Sequence, residues 1–185
     1  GLYTFVASEN RTPALRAGAL EQYQVSLPAE WKEIPVSNAK SGNYCQPRCD
    51  EATTEVSFGS NAQGTLQVII IPTTKLLIAK KNPSLQEVGS SSGILSAISP
   101  AITGSVAVEE EEVIDVKQFE KEGREYYEYE LFTPYAQSGS HNLTTVCTSM
   151  NYLVMATISA TDKQWADAQQ VMVLTFFLFC LSCGL

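Results

Sequence analysis

The sequence predicts an α+β fold, a central and mainly antiparallel β-sheet flanked by helices. Three observations carry that reading. Apolar and polar residues alternate with the period of two that half-buried strands require in several separate segments. In the last third of the chain those segments follow one another through turns, without the helical crossovers that a doubly wound parallel sheet needs. Helical patterns are few and short. With 185 residues, 44% of them hydrophobic and 17% charged, the chain suits one domain that can bury a core, and it is far from the composition of disorder.

Residues 1–21 hold Pro13, Gly18 and scattered polar groups with no clean period, and are expected to form an extended N-terminal arm. Residues 22–171 form the expected domain. Within it, Tyr23-Gln24-Val25-Ser26-Leu27 alternates as a strand, Pro28 ends it, and Trp31 reads as a core anchor. From Ile34 to Asp50 the chain is polar and punctuated by Pro35, Gly42 and Pro47, the mark of a long loop. Strands are expected over Glu55–Phe58 and over Thr65–Ile71, whose β-branched run suits an interior strand closed by Pro72. Ser84 and Glu87 stand at capping-box spacing before Leu85–Val88, and Ile94, Leu95 and Ile98 extend that apolar face toward Pro100. The run Glu109–Glu112 repels itself and reads as a solvated edge or turn. Strands follow over Val113–Phe119 and Arg124–Leu131, then a hairpin of His141–Cys147 and Tyr152–Ala160 around Ser149-Met150-Asn151. A closing helix takes in Trp165 to Val171, with Asp162 as its expected N-cap.

Residues 172–185 form an atypical hydrophobic tail. The stretch Val171–Leu185 has fifteen residues, short of the roughly 20 that span a bilayer, so it is expected as a buried last helix or an incorrect gene end rather than a membrane anchor. The chain opens on Gly1 rather than Met, as a mature product or a fragment would.

The net charge of −8 and a pI near 4.7 repel phosphate backbones and anionic lipid, which argues against nucleic acid as a partner. No G-x-S-x-G elbow, phosphate loop, dinucleotide fingerprint, H-E-x-x-H pair or EF-hand loop occurs, so a conventional enzyme is not expected. Cys45 and Cys49 are separated by three residues, a spacing that permits a small disulfide loop or two thiols sharing one loop. Zinc-finger chemistry is weak here because His141 is the only histidine. Tyr126, Tyr127 and Tyr129 resemble a stacking platform, but alternation puts Tyr126 on one face and the other two on the opposite one, which favours core packing. Two glycosylation-type triplets, at Asn10 and Asn142, would matter only in a secretory compartment.

Four segments in order, Tyr23-Gln24-Val25-Ser26-Leu27-Pro28-Ala29-Glu30-Trp31, Glu125–Leu131, His141–Val146 and Ala160-Thr161-Asp162-Lys163-Gln164-Trp165, resemble the successive motifs of PsbP-domain proteins, over roughly residues 22–171. The resemblance implies a PsbP-like α-β-α sandwich in the chloroplast thylakoid lumen. It further implies an extrinsic, non-catalytic protein, peripheral on the lumenal face of the membrane, that serves photosystem assembly, stability or oxygen evolution. In photosystem II the best-known member helps to retain calcium and chloride beside the oxygen-evolving manganese cluster. The N-terminal arm and the Cys45/Cys49 pair depart from that member, so the likeness is to a paralogue.

Some members bind manganese or zinc through a histidine and an aspartate that fall here on His141 and Asp162, so Mn, Zn or Ca is the cofactor to consider. The plainer alternatives are a helix cap for Asp162 and an exposed strand end for His141. Two rival functions remain from other classes: a lumenal thiol-disulfide redox protein using Cys45 and Cys49, which would turn over in an exchange assay, and a small-ligand carrier, which would need a large apolar pocket.

Overall fold

The β-branched run Thr65–Ile71 lies inside a sheet, where its composition belongs. The computed structural model describes residues 1–45, 49–104, 107–176 and 180–181, with side chains from 170 onward left undescribed. Among these residues the elements run β1 (Leu2–Val6), α1 (Pro13–Arg16), β2 (Tyr23–Pro28), β3 (Lys32–Glu33), α2 (Asn38–Ser41), β4 (Thr53–Ser60), β5 (Gly64–Pro72), α3 (Leu85–Val88), α4 (Ser91–Thr103), β6 (Val113–Lys121), β7 (Arg124–Phe132), β8 (His141–Ser149), β9 (Tyr152–Ala160), α5 (Asp162–Phe176) and β10 (Cys180–Leu181). The main sheet has seven strands in the order β3-β4-β5-β9-β8-β7-β6, and every pairing is antiparallel. After β5 the chain crosses one face as α3 and α4 and re-enters at the far edge as β6. It then meanders back until β9 pairs with β5.

The period of two sorts the side chains between two cores. Leu66, Val68, Ile70, Tyr126, Leu143, Cys147, Val154 and Ile158 point to one face, where they meet Phe5, Tyr23, Val25, Leu27 and Trp31. Ile69, Ile71, Tyr127, Tyr129, Val146, Leu153 and Met155 point to the other, against Leu85, Ile94, Leu95, Ile98 and Ile102 of α3 and α4. The tyrosines divide as alternation requires, and the Tyr129 hydroxyl donates to the Ser91 carbonyl at 2.7 Å, fixing the start of α4. Burial pushes the Tyr129 phenol pKa well above its ordinary value.

Three expectations need correction. The first 21 residues are not an arm: β1 pairs with β2 along its whole length, and Phe5, Ala7, Ala14 and Leu20 are buried in the first core. Phe5 and Ala7 keep the strand period of two, but the exposed Leu2, Tyr3 and Val6 beside them mask it in the sequence. The strands after Tyr23 do not join one sheet either. The Tyr23 strand, β2, belongs to a separate three-stranded sheet with β1 and β10, so small sheet, α1 and α5 together cover the face opposite α4. The apolar face beginning at Leu85 is two helices rather than one. The Ser84–Glu87 capping box forms as expected, but the helix stops at Gly89 and a second starts from the Ser90 cap and runs past Pro100 to Thr103.

Glu110–Glu112 form an exposed single turn. Of the hydrophobic tail, α5 reaches Phe176 and Cys180 and Leu181 pair with Gln24 and Tyr23; residues 177–179 and 182–185, Cys183 among them, lie outside the described residues. No helix among the described residues is long and apolar enough to cross a membrane.

Candidate functional site

His141 opens β8 and is flanked in register by Phe132 at the end of β7 and Ala160 at the end of β9. Alternation puts it on the face of Leu143 and Cys147, the face that α5 covers. Since α5 begins two residues after Ala160, its first turn lands on the histidine. His141 Nε2 lies 2.9 Å from Asp162 Oδ1, and the indole of Trp165, one helical turn along, stacks on the imidazole with centroids 4.4 Å apart and planes 7° from parallel. Phe132 packs on the imidazole at 5.0 Å, tilted by 53°.

Asp162 is not the helix cap. Thr161 takes that role: its hydroxyl accepts from the Gln164 amide at 3.3 Å, and the Gln164 side chain accepts from the Thr161 amide at 2.9 Å. The reciprocal pair satisfies the helix start and leaves the Asp162 carboxylate for the sheet. There the Ser140 hydroxyl donates to Asp162 Oδ1 at 2.7 Å. That hydrogen bond, and next the His141 ring, hold the Asp162 carboxyl pKa below the usual aspartate value.

The loop between β7 and β8 is held by the residue after the histidine. Asn142 is wholly buried on the α4 face and uses its full bonding capacity. Its amide nitrogen donates to Thr133 Oγ1 at 2.8 Å and the Gly139 carbonyl at 2.9 Å, and its oxygen accepts from Ser138 at 3.2 Å and Ser159 at 2.6 Å. The Thr133 amide donates to the Ser140 carbonyl at 2.7 Å, closing the loop. At Gly139, φ is +129°, and a Cβ would lie 2.7 Å from the Ala160 carbonyl oxygen, so only glycine fits. The Asn142 triplet is therefore closed to glycosylation in the folded chain, because its nitrogen is buried and fully bonded. Asn10 is exposed.

The metal expectation rests on two side chains that lie in contact. His141 and Asp162 supply one imidazole nitrogen and one carboxylate, and no group of three or more His, Cys, Asp or Glu that could hold a metal occurs among the described residues. This falls short of the four ligands of a closed zinc site and offers calcium a single oxygen donor group. Sequence reasoning singled out both residues but missed Ser140 and Thr161. The second had a readable signal, the Thr-x-x-Gln spacing before an apolar run; the first had none, since a loop serine is too common to stand out.

Cys45 and Cys49 form a disulfide with Cα atoms 5.1 Å apart. It stands beside β4: a Cβ on Gly42, the left-handed residue ending α2, would lie 3.0 Å from Cys49 Sγ and 2.8 Å from Thr53 Cγ2. Residues 46–48 between the two cysteines lie outside the described residues. At the far end of the sheet an open cleft of about 820 Å³ is lined by Glu21, Glu87, Glu120, Arg124 and Glu125. With these charged walls the cleft is not the large apolar pocket that a small-ligand carrier would need.

The PsbP family profile matches residues 18–177. This chain belongs to the PsbP family. It is 38% identical over 169 residues to PsbP domain-containing protein 6, chloroplastic, of Arabidopsis thaliana, covering 91% of this chain and 63% of that protein. It is 26% identical over 144 residues to PsbP domain-containing protein 4, chloroplastic, of the same plant, covering 77% and 49%. The chain thus spans between about half and two thirds of the length of these curated relatives. The solution structure of cyanobacterial PsbP (CyanoP) from Synechocystis sp. PCC 6803 aligns over 98% of this chain and 92% of that one with a TM-score of 0.59. At 16% identity that match shows the fold, an α+β sheet with helices as the sequence predicts. The likeness to PsbP domain-containing proteins fits a paralogue rather than the oxygen-evolving subunit.

Proposed function

We propose that this PsbP-family protein is a non-catalytic, extrinsic protein of the chloroplast thylakoid lumen that docks on a photosystem complex or its assembly intermediates through ionic contacts. The observation that carries the reading is the pairing of a PsbP-family frame with an acidic pole. Ten carboxylates against three basic groups lie between residues 109 and 130, so the Glu109–Glu112 turn and the β6–β7 hairpin after it together hold seven of the chain's eight net negative charges. Such a pole steers toward a basic surface and is screened by salt. The relatives' chloroplastic names support the organelle, and the Cys45–Cys49 disulfide suits an oxidising compartment within it.

Fractionated chloroplasts test the proposal. The protein is expected on washed thylakoids opened to expose the lumenal face, co-migrating with a photosystem complex and released by raising salt. Recovery in the stroma, or retention on the membrane through a salt wash, overturns it.

A metal role is the finer part of the proposal. His141 and Asp162, already in contact, would form a weak site whose remaining positions are filled by water, a better match to Mn²⁺ than to Zn²⁺ or Ca²⁺. Calcium retention would then act through docking on a photosystem rather than through a calcium cage in this chain. Calorimetry with Mn²⁺ on wild type and His141→Ala decides: heat that vanishes in the variant supports the site, and identical titrations end it. The redox alternative at Cys45 and Cys49 is separated by a thiol-disulfide exchange assay, in which the docking protein shows no turnover.

A further inference from the structure

The two edges of the main sheet are unlike. β3 has two residues, the short kind of edge that discourages pairing with other chains. β6 has nine, every one from Ile114 to Glu120 is exposed, and no strand among the described residues pairs with its outer side. Glu122 and Gly123, with φ of +53° and +73°, make the two-residue turn that joins β6 to β7. In such a hairpin the residues flanking the turn exchange backbone hydrogen bonds, and alternate residues do so after them. Lys121, Phe119 and Lys117 therefore turn their backbone groups toward β7, while Glu120, Gln118 and Val116 turn theirs outward. The Val116 amide illustrates the outward direction, since the Asp115 side chain, not β7, accepts its hydrogen bond at 2.9 Å. Gln118 and Glu120 remain as a stretch of strand edge whose amides and carbonyls face away from the sheet.

The surroundings of that edge select what can pair with it. The hairpin and the Glu109–Glu112 turn that leads into it together carry nearly all of the chain's net charge, so two copies brought edge to edge would place like-charged segments together, and self-pairing is disfavoured. Lys117, the cation in mid-strand, is engaged within the hairpin: its ammonium lies 3.1 Å from Glu128 and 3.6 Å from Asp115. Ile114, Val116 and Phe119 add apolar surface along the strand, 58%, 39% and 38% exposed, with Phe119 stacked on Tyr126 at 5.3 Å. The strand also ends at the acidic cleft, where Glu120 and Glu125 form part of the wall.

We propose that the outer edge of β6 receives an extended segment of a partner protein bearing Lys or Arg at alternate positions, added as an eighth antiparallel strand. The partner's backbone would pair with Gln118 and Glu120, its apolar residues would cover Val116 or Phe119, and its cations would meet the carboxylates that exclude a second copy. The inference deepens the docking role proposed above and rests on it for its biological sense.

The probe is a fluorescein-labelled peptide of about ten residues alternating Lys and Val, long enough to cover an ordinary strand. It is titrated into the full chain by anisotropy, beside the same peptide N-methylated at alternate backbone positions. Saturable binding is expected, about tenfold or more weaker for the N-methylated peptide and for the charge-reversed surface variant Glu110→Lys/Glu111→Lys/Glu120→Lys. Hydrogen exchange should slow at the Gln118 and Glu120 amides when peptide is bound. Absence of binding, equal binding of the N-methylated peptide, protection confined to residues outside β6, or dimerisation of the free chain through β6 overturns the proposal. Far-ultraviolet dichroism shows whether the variant is folded; if it is not, the N-methylated comparison on wild type decides alone. Failure of the peptide test with wild type still on the thylakoids removes this edge and keeps the docking role. Peptide binding with wild type absent from the thylakoids does the reverse.

Discussion

Asn142→Ala should unseat the loop that presents Ser140 to Asp162, and the size of the loss follows from the hydrogen bonds removed. Four partners lose the amide at once, two of them, Thr133 and Ser159, themselves buried. A buried polar group left unsatisfied costs about 1–3 kcal/mol, and hydroxyls that can rotate recover part of it, so a total near 3 kcal/mol is expected. With a urea m-value of about 2 kcal/mol/M, the unfolding midpoint should fall by about 1.5 M at constant m. Asn142→Asp should cost at least as much, because it keeps the shape but aims a carboxylate at the Gly139 carbonyl and loses both donors. Ser140→Ala is the control. It removes one hydrogen bond, worth about 1 kcal/mol, while the Asp162 carboxyl loses the contact that most depresses its pKa and should titrate higher. A midpoint shift under about 0.5 M for Asn142→Ala would refute the claim that this amide holds the loop.

The remaining expectations concern the helix starts, the turn glycine and the disulfide. Thr161→Ala should destabilise the chain by about 1 kcal/mol in urea melts, whereas Asp162→Asn should leave the cap intact and instead weaken the contact with His141. The folded-state depression of the Asp162 pKa means that its contribution is present above the ordinary aspartate value and is lost as pH falls through the lower folded value; an NMR titration matching a free aspartate would contradict this. Glu87 is held down to about 2, chiefly by its hydrogen bond from Lys80, so the α3 capping box should survive acidification below the ordinary glutamate range and fail only as pH falls through about 2. Gly139→Ala should cost about 1–3 kcal/mol by thermal melting, since the new methyl must enter both a left-handed conformation and the Ala160 carbonyl. Reducing the Cys45–Cys49 bond, or replacing both by serine, should remove about 2 kcal/mol, the loop-closure value for so short a ring.

Much of this fold is legible because strands write their burial in a period of two. Tyr126, Tyr127 and Tyr129 divide between two cores as their spacing demands, and the Thr65–Ile71 run lies inside the sheet. What was not legible is long-range. Nothing local distinguishes Tyr23–Leu27 as a strand of a second sheet from a strand of the first, because a short apolar-polar alternation is common to strands of either. The first 21 residues reach the core at Phe5, Ala7, Ala14 and Leu20; only the first two stand at strand spacing, and the exposed apolar Leu2, Tyr3 and Val6 hide that period until β1 has paired with β2. At the site, His141 and Asp162 were visible as chemistry, but the direction of the carboxylate depended on which residue capped α5. A capping box at Thr161 and Gln164 settles that competition, and the freed Asp162 turns to Ser140 and His141.

The four segments that resemble the family's motifs come together in space. Tyr23, Val25, Leu27 and Trp31 from the first, Tyr126 from the second, Leu143 from the third and Trp165 from the fourth all pack in or against the core between the main sheet and the layer formed by the small sheet and α5. Read physically, those motifs specify how that layer seats on the sheet, which is why they identify the fold at once and say little about a partner. His141 and Asp162 are the polar exception within them, and their contact joins the start of α5 to the end of β8 whether or not an ion visits. The outward-facing features, the outer edge of β6 with the acidic turn before it and the disulfide beside β4, are not among the residues that build this core. A substitution in the shared core should therefore cost stability first and docking only through unfolding, while charge reversal at Glu110, Glu111 and Glu120, on β6 and the turn before it, should cost docking at unchanged stability. Measuring melting temperature and thylakoid binding together on Leu143→Ala and on the β6 variant separates frame from surface, and a β6 variant that binds normally would place the docking surface elsewhere.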